Sequence, residues 1–92
     1  MEQDLRDKAA KRLGRIAGQV AGLQKMVETD RYCIDVLTQI AAVRSALHAV
    51  GVEVLAGHVR HCVAGKGDGE HGKIDTDSLI EELRESLARF SK

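Results

Sequence analysis

The feature that most constrains this chain is a proline-free apolar stripe between positions 33 and 54. Its members recur at intervals of three and four: Cys33, Val36, Ile40, Val43, Leu47, Val50 and Val54. This spacing predicts one long helix that continues to about Ala64. Thirty-odd residues rising ~1.5 Å each form a rod of roughly 45 to 50 Å. The rest of a 92-residue chain is too short to bury that stripe, so we expect the helix to pair with a second copy.

Two further helices flank this rod. The first is predicted from roughly Gln3 to Glu28 on the apolar spacing of Leu13, Ile16, Val20, Leu23 and Val27. Asp30 is the predicted N-cap of the second helix, and the glycine-rich segment Gly65–Lys73 is predicted to be an exposed, mobile loop. Asp75 is the predicted N-cap of a third helix with the apolar face Leu79, Leu83, Leu87 and Phe90. The prediction is an all-α, three-helix protomer forming a single domain, 1–92.

Composition restricts the location of the protein. The start of the chain, Met1 to Arg6, is polar and lacks the apolar core of a signal peptide. We count no apolar run that approaches the ~18 residues needed to span a bilayer. We therefore expect a cytoplasmic protein that makes no membrane contact.

The formal net charge is zero, but the charges are segregated along the chain. Six basic residues and a single acidic one, Asp7, lie between Leu5 and Lys25, whereas acidic residues outnumber basic ones after Asp68. Such segregation can give a neutral protein a basic face for nucleic acid. A solvated, charged helix surface is the alternative interpretation.

Cys33 and Cys62 are the two cysteines, and a structural disulfide is not expected in the reducing cytoplasm. They are inert buried thiols, a redox pair or metal ligands. His58 precedes Cys62 by four positions, so both side chains lie on one face of a helix and can chelate one ion. Cys33 lies 25 positions before His58, or ~37 Å along a continuous helix. Two antiparallel helices, crossing near Ala46 and Leu47, would bring Cys33 of one chain beside His58 and Cys62 of the other.

Two thiolates and an imidazole suit Cu(I) and also Zn(II). A structural zinc site usually takes a fourth protein ligand, for which His61 is the candidate. His61 points about a hundred degrees away from both His58 and Cys62, so we interpret it as a neighbour of the site. His71 in the glycine-rich loop could reach a metal, although a lone loop histidine is usually solvated, and no specific role is predicted for His48. The sequence carries no recognisable catalytic motif, and an enzyme is not expected.

Three segments resemble the CsoR/RcnR family of bacterial metal-sensing repressors. They are KRLGRIAGQV from Lys11, YCIDVLTQI from Tyr32 and HVRHC from His58. The resemblance implies an antiparallel dimer containing a four-helix bundle, with two dimers forming a flat homotetramer. It also implies a Cu(I) site made by Cys33 of one protomer and His58 and Cys62 of another. Metal binding would release operator DNA and so derepress copper efflux or sequestration genes.

Comparison of the family's branches favours copper. Nickel and cobalt sensors use a histidine near the N-terminus, but the first histidine of this chain is His48. The formaldehyde-responsive branch needs an N-terminal proline, and the chain has none. Persulfide sensors lack a histidine at the position that His58 occupies.

The resemblance also suggests supporting residues. Tyr32, and a glutamate that is either Glu82 or Glu81, would surround the metal ligands, with Tyr32 otherwise a half-buried core residue and the glutamate an ordinary exposed one. DNA would meet a basic face that comprises Lys8, Lys11, Arg12, Arg15 and Arg44. Two other functions stay open at this stage: a copper or zinc carrier without DNA binding, and a thiol redox sensor that joins Cys33 to Cys62 of another chain.

Overall fold

A computed structural model describes residues 1–63 and 76–91, with side chains given for residues 1–60 and 77–91. The regular structure in these ranges is entirely helical: α1 spans Gln3–Glu28, α2 spans Cys33–Val63 and α3 spans Thr76–Phe90. The all-α, three-helix prediction is therefore confirmed. The predicted loop Gly65–Lys73, the proposed cap Asp75 and His71 lie outside the described residues.

The turn between α1 and α2 corrects one prediction. Asp30 has a positive φ of 57° and caps the end of α1 instead of the start of α2. Its amide donates to the Val27 carbonyl at 3.2 Å, and the Arg31 amide donates to the Met26 carbonyl at 2.9 Å. This pair of bonds is a Schellman motif, in which a left-handed residue satisfies the last carbonyls of a helix. Aspartate tolerates that conformation better than most residues, so its capping role was assigned to the wrong helix.

α1 and α2 form an antiparallel hairpin that contains the main core. Ala9 and Ile16 of α1 pack with Val43 and Val50 of α2, and partly buried residues extend this contact: Leu23, Ala46 and Val54. The series Ala9, Ile16 and Leu23 recurs every seven positions, so one line of α1 faces α2. This core sets which residues of α1 and α2 lie opposite each other. It buries only part of the predicted apolar stripe of each helix.

The remaining part of both stripes is exposed in the single chain. On α1, Leu13, Val20 and Val27 are 45%, 49% and 66% exposed. On α2, Ile40 and Leu47 are 39% and 45% exposed, although they belong to the same predicted stripe as the buried Val43. A two-helix hairpin can cover only one side of each helix, and the uncovered apolar side is of the kind that a partner helix buries.

α2 also corrects the prediction about membrane-spanning segments. Cys33–Arg60, 28 residues, is long and apolar enough to cross a bilayer by length and composition alone. The prediction that no apolar segment approaches the ~18 residues needed to span a bilayer is wrong, because it counted only uninterrupted runs of apolar residues. Between Asp35 and Glu53 the only charged residue is Arg44, so an 18-residue window of α2 remains apolar on average.

α3 packs against the C-terminal half of α2. Leu79 near its start is buried, whereas Ile80 and Leu87 on its other faces are about half exposed. Phe90 at its end lies against Gly51 of α2. Glu82, between these two anchors, reaches His58. The helix is thereby placed beside the candidate metal ligands of α2.

Candidate metal centre

α2 places the candidate metal ligands at its two ends. Cys33 is its first residue and is exposed on the surface of the chain. His58 lies near the other end, and Cys62 follows one helical turn later, with its side chain outside the described part. Since α2 is one unbroken helix, Cys33 and His58 of the same chain stay ~37 Å apart. Among the described side chains, no group of three His, Cys, Asp or Glu residues comes together to hold a metal ion.

His58 is held from the side by α3. Its Nε2 atom lies 2.6 Å from Oε1 of Glu82, and the two side chains are 34% and 35% exposed. The distance is that of a short hydrogen bond between an imidazole and a carboxylate. A carboxylate accepts, so Nε2 is the nitrogen that donates. This contact fixes the orientation of the ring and, in the neutral imidazole, places the ring's lone pair on Nδ1.

The two glutamates named from the sequence lie in different surroundings. Glu82 contacts His58, whereas Glu81 points to solvent and lies 3.8 Å from Arg84 on its own helix. The one-residue difference turns the side chain by about a hundred degrees around the helix axis. Glu82 is therefore the glutamate that the fold brings to His58.

Tyr32 lies beside Cys33 at the far end of α2 from His58. Its side chain is 68% exposed, so the alternative of a half-buried core tyrosine does not describe the single chain. Tyr32 and His58 of one chain are separated by nearly the full length of α2. His61 is in the last turn of α2, and its side chain is outside the described residues.

A cavity opens next to the His58–Glu82 pair. It measures about 660 Å³ and lies between the start of α1, the second half of α2 and α3. Leu5 of α1 enters this region and lies so close to Gly57 that a Cβ there would overlap the leucine Cδ2 atom. The first turns of α1 thus contact the backbone immediately before His58.

The candidate DNA-binding residues lie on α1 and in the middle of α2. Lys11 and Arg15 are exposed, and Lys8 is 3.5 Å from Asp4 one turn earlier. Arg12 differs from them, because its Nη1 atom lies 3.1 Å from Oε1 of Glu53 on α2. Arg44 is exposed and borders a second hollow, of about 540 Å³, beside His48.

Two contacts between helices were not predicted from the sequence. One is the Arg12–Glu53 ion pair. The other is the stack of His48 on Phe90, with ring centroids 4.9 Å apart and planes inclined by 9°. Sequence reasoning assigned no role to His48 because its partner lies 42 positions away on another helix. Gly51 in the middle of an apolar helix was the available signal, since a glycine there costs ~1 kcal/mol unless something packs on it.

A sequence profile described as "metal-sensitive transcriptional repressor" matches residues 5–89. The chain belongs to this family. The match covers all of α2, with its three candidate metal ligands, and all of α1 and α3 except their outermost residues. Since members of the metal-sensitive transcriptional repressor family regulate transcription, the prediction that the chain is not an enzyme is confirmed.

Individual relatives agree with this assignment. The chain is 44% identical over 90 residues to the copper-sensing repressor CsoR of Bacillus subtilis strain 168, covering 95% of this chain and 82% of the relative. It is 52% identical over 73 residues to the copper-sensing repressor RicR of Mycobacterium tuberculosis, covering 75% and 76%. The crystal structure of CsoR with Cu(I) from Geobacillus thermodenitrificans NG80-2 matches with a TM-score of 0.79 and 40% identity, covering 100% and 92%. The resemblance to the CsoR/RcnR family is therefore confirmed.

Proposed function

We propose that this chain is a Cu(I)-responsive transcriptional repressor that binds operator DNA without metal and leaves it when Cu(I) binds. The metal site is shared between two copies, with Cys33 from one and His58 and Cys62 from the other. Release of the repressor from the operator then allows transcription of genes for copper efflux or sequestration. The observation that carries this proposal is the unbroken α2 helix, which keeps Cys33 and His58 of one chain apart. Copper-sensing relatives at 44% and 52% identity support the choice of metal and the response.

The proposed assembly follows from the apolar surface that the single chain leaves uncovered. On an ideal helix, Cys33, Ile40, Leu47 and His58 fall on one face of α2, and this face is not covered by α1. An antiparallel copy crossing near Leu47 would cover it and bring the ends of the two helices together. We propose that two such dimers then form the homotetramer.

A bilayer is the other environment that could cover α2, but the charges of the helix argue against it. Asp35, Arg44 and Glu53 are distributed along its length, and each would be costly in hydrocarbon. A repressor must also reach DNA. We therefore propose a cytoplasmic protein without membrane contact, in which a second copy covers the apolar face.

The donor set fits Cu(I). Thiolates are soft ligands that select Cu(I), and an imidazole completes a site of three donors. Cys33 is exposed and so accessible to another chain, and Glu82 holds His58 through Nε2 so that Nδ1 is the nitrogen for a metal. Bound Cu(I) would supply the bonds that join Cys33 of one chain to His58 and Cys62 of the other.

The residues around His58 provide a route from the metal site to the DNA-binding surface. Glu82 connects His58 to α3, and the adjacent Gly57 contacts Leu5 at the start of α1. A change in the position of His58 therefore acts on α3 directly, through Glu82, and on α1 through the preceding residue, Gly57. Tyr32 of the partner chain would lie beside its own Cys33 and so near this same group. By linkage, operator DNA must weaken Cu(I) binding by the factor by which Cu(I) weakens DNA binding.

Operator DNA would meet the basic residues of α1, Lys8, Lys11, Arg12 and Arg15, together with Arg44. Phosphate contacts by such side chains release counterions, so affinity should fall steeply with salt. Their exposure in the single chain is compatible with this role. His61 is proposed as a neighbour of the site and Glu81 as a solvent-facing residue.

The decisive experiment is a fluorescence-anisotropy titration of an operator fragment with the full chain, with and without one equivalent of Cu(I) per chain. The fragment is taken from the DNA upstream of the chain's own gene and of any copper-transport gene that adjoins it. Release by Cu(I), and none by an equal amount of Zn(II), supports the proposal. Cu(I) binding with no DNA binding at any salt concentration would identify a carrier instead. Release by the thiol oxidant diamide, with no effect of Cu(I), would identify a redox sensor.

A further inference from the structure

α3 runs antiparallel to α2, and two contacts define how the helices are aligned. Glu82 meets His58, and Phe90 meets Gly51. On α2, seven positions separate Gly51 from His58, and on α3 eight separate Glu82 from Phe90. At ~1.5 Å per residue the two spacings are ~10 and ~12 Å, so both contacts are made in a single register.

Gly51 forms a notch that the Phe90 ring occupies. A Cβ at position 51 would overlap ring atoms Cε1 and Cζ of Phe90. Of the other α2 residues that line the same region, Val54, Leu55 and His58 carry larger side chains, and the surface of Gly57 is already covered by Leu5. The edge of the ring therefore fits against the backbone at Gly51, and any side chain at that position would displace it.

His48, one turn before Gly51 on α2, stacks on the same ring. Its ring lies nearly parallel to that of Phe90, with planes inclined by 9° and centroids 4.9 Å apart. Aromatic rings stacked at this distance attract each other beyond the apolar area that they bury. Phe90 thus points the Cε1–Cζ edge of its ring at the Gly51 backbone and stacks a face of the ring on the His48 imidazole, while 38% of the residue remains exposed. This contact therefore contributes more to the alignment of α3 along α2 than to the apolar area that the two helices bury.

We propose that Phe90, Gly51 and His48 form a register lock that sets α3 on α2 so that Glu82 meets His58. Phe90 and Gly51 are then positioning residues, because neither touches the proposed metal ligands. A slip of α3 by one turn would move Glu82 ~5.4 Å along the helix axis and break its 2.6 Å contact with His58. The consequence for the copper response depends on the proposed function, but the positioning of Glu82 does not.

The test is made first on the metal-free, full-length protein. Long-range ¹H–¹⁵N spectra report the ring nitrogens of His58, and Glu82→Gln provides the reference for an altered contact. We expect Phe90→Ala and Gly51→Ala to move the His58 ring resonances away from their wild-type positions. Alanine is a better helix former than glycine, so Gly51→Ala does not weaken α2 through its helix propensity.

Two matched controls make the same changes where no lock exists. Gly22→Ala adds a Cβ to a helical glycine with nothing within 4 Å, and Ile80→Ala shortens a half-exposed apolar residue of α3. Both should leave the His58 resonances at their wild-type positions. In the Glu82→Gln background, we expect Phe90→Ala to cause a smaller further shift than it causes in the wild type, since the lock acts through that contact.

Unchanged His58 resonances in Phe90→Ala would overturn the proposal, whatever Gly51→Ala shows. If the circular dichroism of Phe90→Ala shows lost helix, Phe90→Leu is read by the same criterion, because leucine is apolar but has no ring to stack on His48. In the DNA titration, Phe90→Ala should lose as much Cu(I)-dependent release as Glu82→Gln. A wild-type protein that ignores Cu(I) would refute the proposed function, while the spectra would still decide whether the lock exists.

Discussion

Arg12 of α1 and Glu53 of α2 form an ion pair between the two helices of the hairpin. The guanidinium Nη1 atom lies 3.1 Å from the carboxylate Oε1 atom, and both side chains remain well exposed, at 47% and 38%. Glu53 lies five positions before His58 on the same helix. One of the arginines proposed to face DNA is thus held by a carboxylate of the helix that carries all three proposed metal ligands.

Glu53→Gln should strengthen operator binding by the metal-free protein. The substitution removes the competing carboxylate and leaves Arg12 available for a phosphate. One additional phosphate contact steepens the dependence of log K on log salt by about 0.9. Anisotropy titrations over a roughly fourfold range of salt concentration, from about 50 to about 200 mM, would measure both the operator affinity and its salt dependence. An exposed pair contributes ~0.2 to 1 kcal/mol, so the unfolding midpoint should barely change.

Glu85→Gln is the matched control, because it removes the same charge from an exposed position on α3. It should leave the salt dependence as in the wild type. Weaker binding by Glu53→Gln would contradict the prediction and would mean that Glu53 orients Arg12 toward DNA.

Leu47→Asp should prevent dimer formation. Leu47 is 45% exposed in the single chain but lies at the proposed crossing point of two α2 helices, where both copies would bury an unpaired charge. Sedimentation equilibrium should show a shift toward monomer and, with it, loss of Cu(I) binding. Val52→Asp is the control, since Val52 is 47% exposed but points about 140° away on α2. A Leu47→Asp protein that still sedimented as the wild-type oligomer would refute the proposed crossing point.

The helices could be predicted from the sequence because their apolar spacing is regular and proline is absent. What spacing could not resolve was which side of each stripe faces α1 or α2 and which faces a partner. Ile40 and Val43 belong to one predicted stripe, yet only Val43 is buried in the hairpin. The local error at Asp30 has a similar cause, because aspartate is favoured both as an N-cap and in the left-handed conformation that ends a helix.

The candidate site was predictable where it depends on helix geometry. Four-residue spacing places His58 and Cys62 on one face, and the length of α2 keeps Cys33 away from them. The choice between Glu81 and Glu82 was not predictable, since it depends on how α3 lies on α2. That placement rests on the contact of Phe90 with Gly51 and His48, which joins residues about 40 positions apart and has no local sequence pattern.

Glu82→Gln should separate copper binding from DNA release. The amide keeps the size of the side chain but loses the charge that strengthens its hydrogen bond with His58. We expect operator affinity without metal to match the wild type and Cu(I) still to bind, while the Cu(I)-dependent loss of DNA affinity becomes at least several-fold smaller. Competition with a Cu(I) chelator and anisotropy titrations measure the two properties. Glu81→Gln is the control, and an equal effect of both substitutions would contradict a specific role for Glu82.

Cys33→Ala should bind operator DNA with wild-type affinity and ignore Cu(I). Cys33 is exposed and lies outside the hairpin core, so its replacement removes a ligand without disturbing the fold. Thr38→Ala, another exposed change on α2, should keep the full response. Copper-dependent release of the Cys33→Ala protein from DNA would show that the site lies elsewhere.

Mixing two defective variants should restore copper binding if the site is shared between chains. Cys33→Ala lacks one ligand, and a His58→Ala/Cys62→Ala double variant lacks the other two, so neither homodimer contains a complete site. In an antiparallel heterodimer, Cys33 of the double variant meets His58 and Cys62 of the single variant, and one complete site forms. Unfolding and refolding the two together, followed by chelator competition, should therefore recover Cu(I) binding in proportion to the heterodimers formed. A site built within one chain predicts no recovery at any mixing ratio, because no chain in the mixture carries all three ligands.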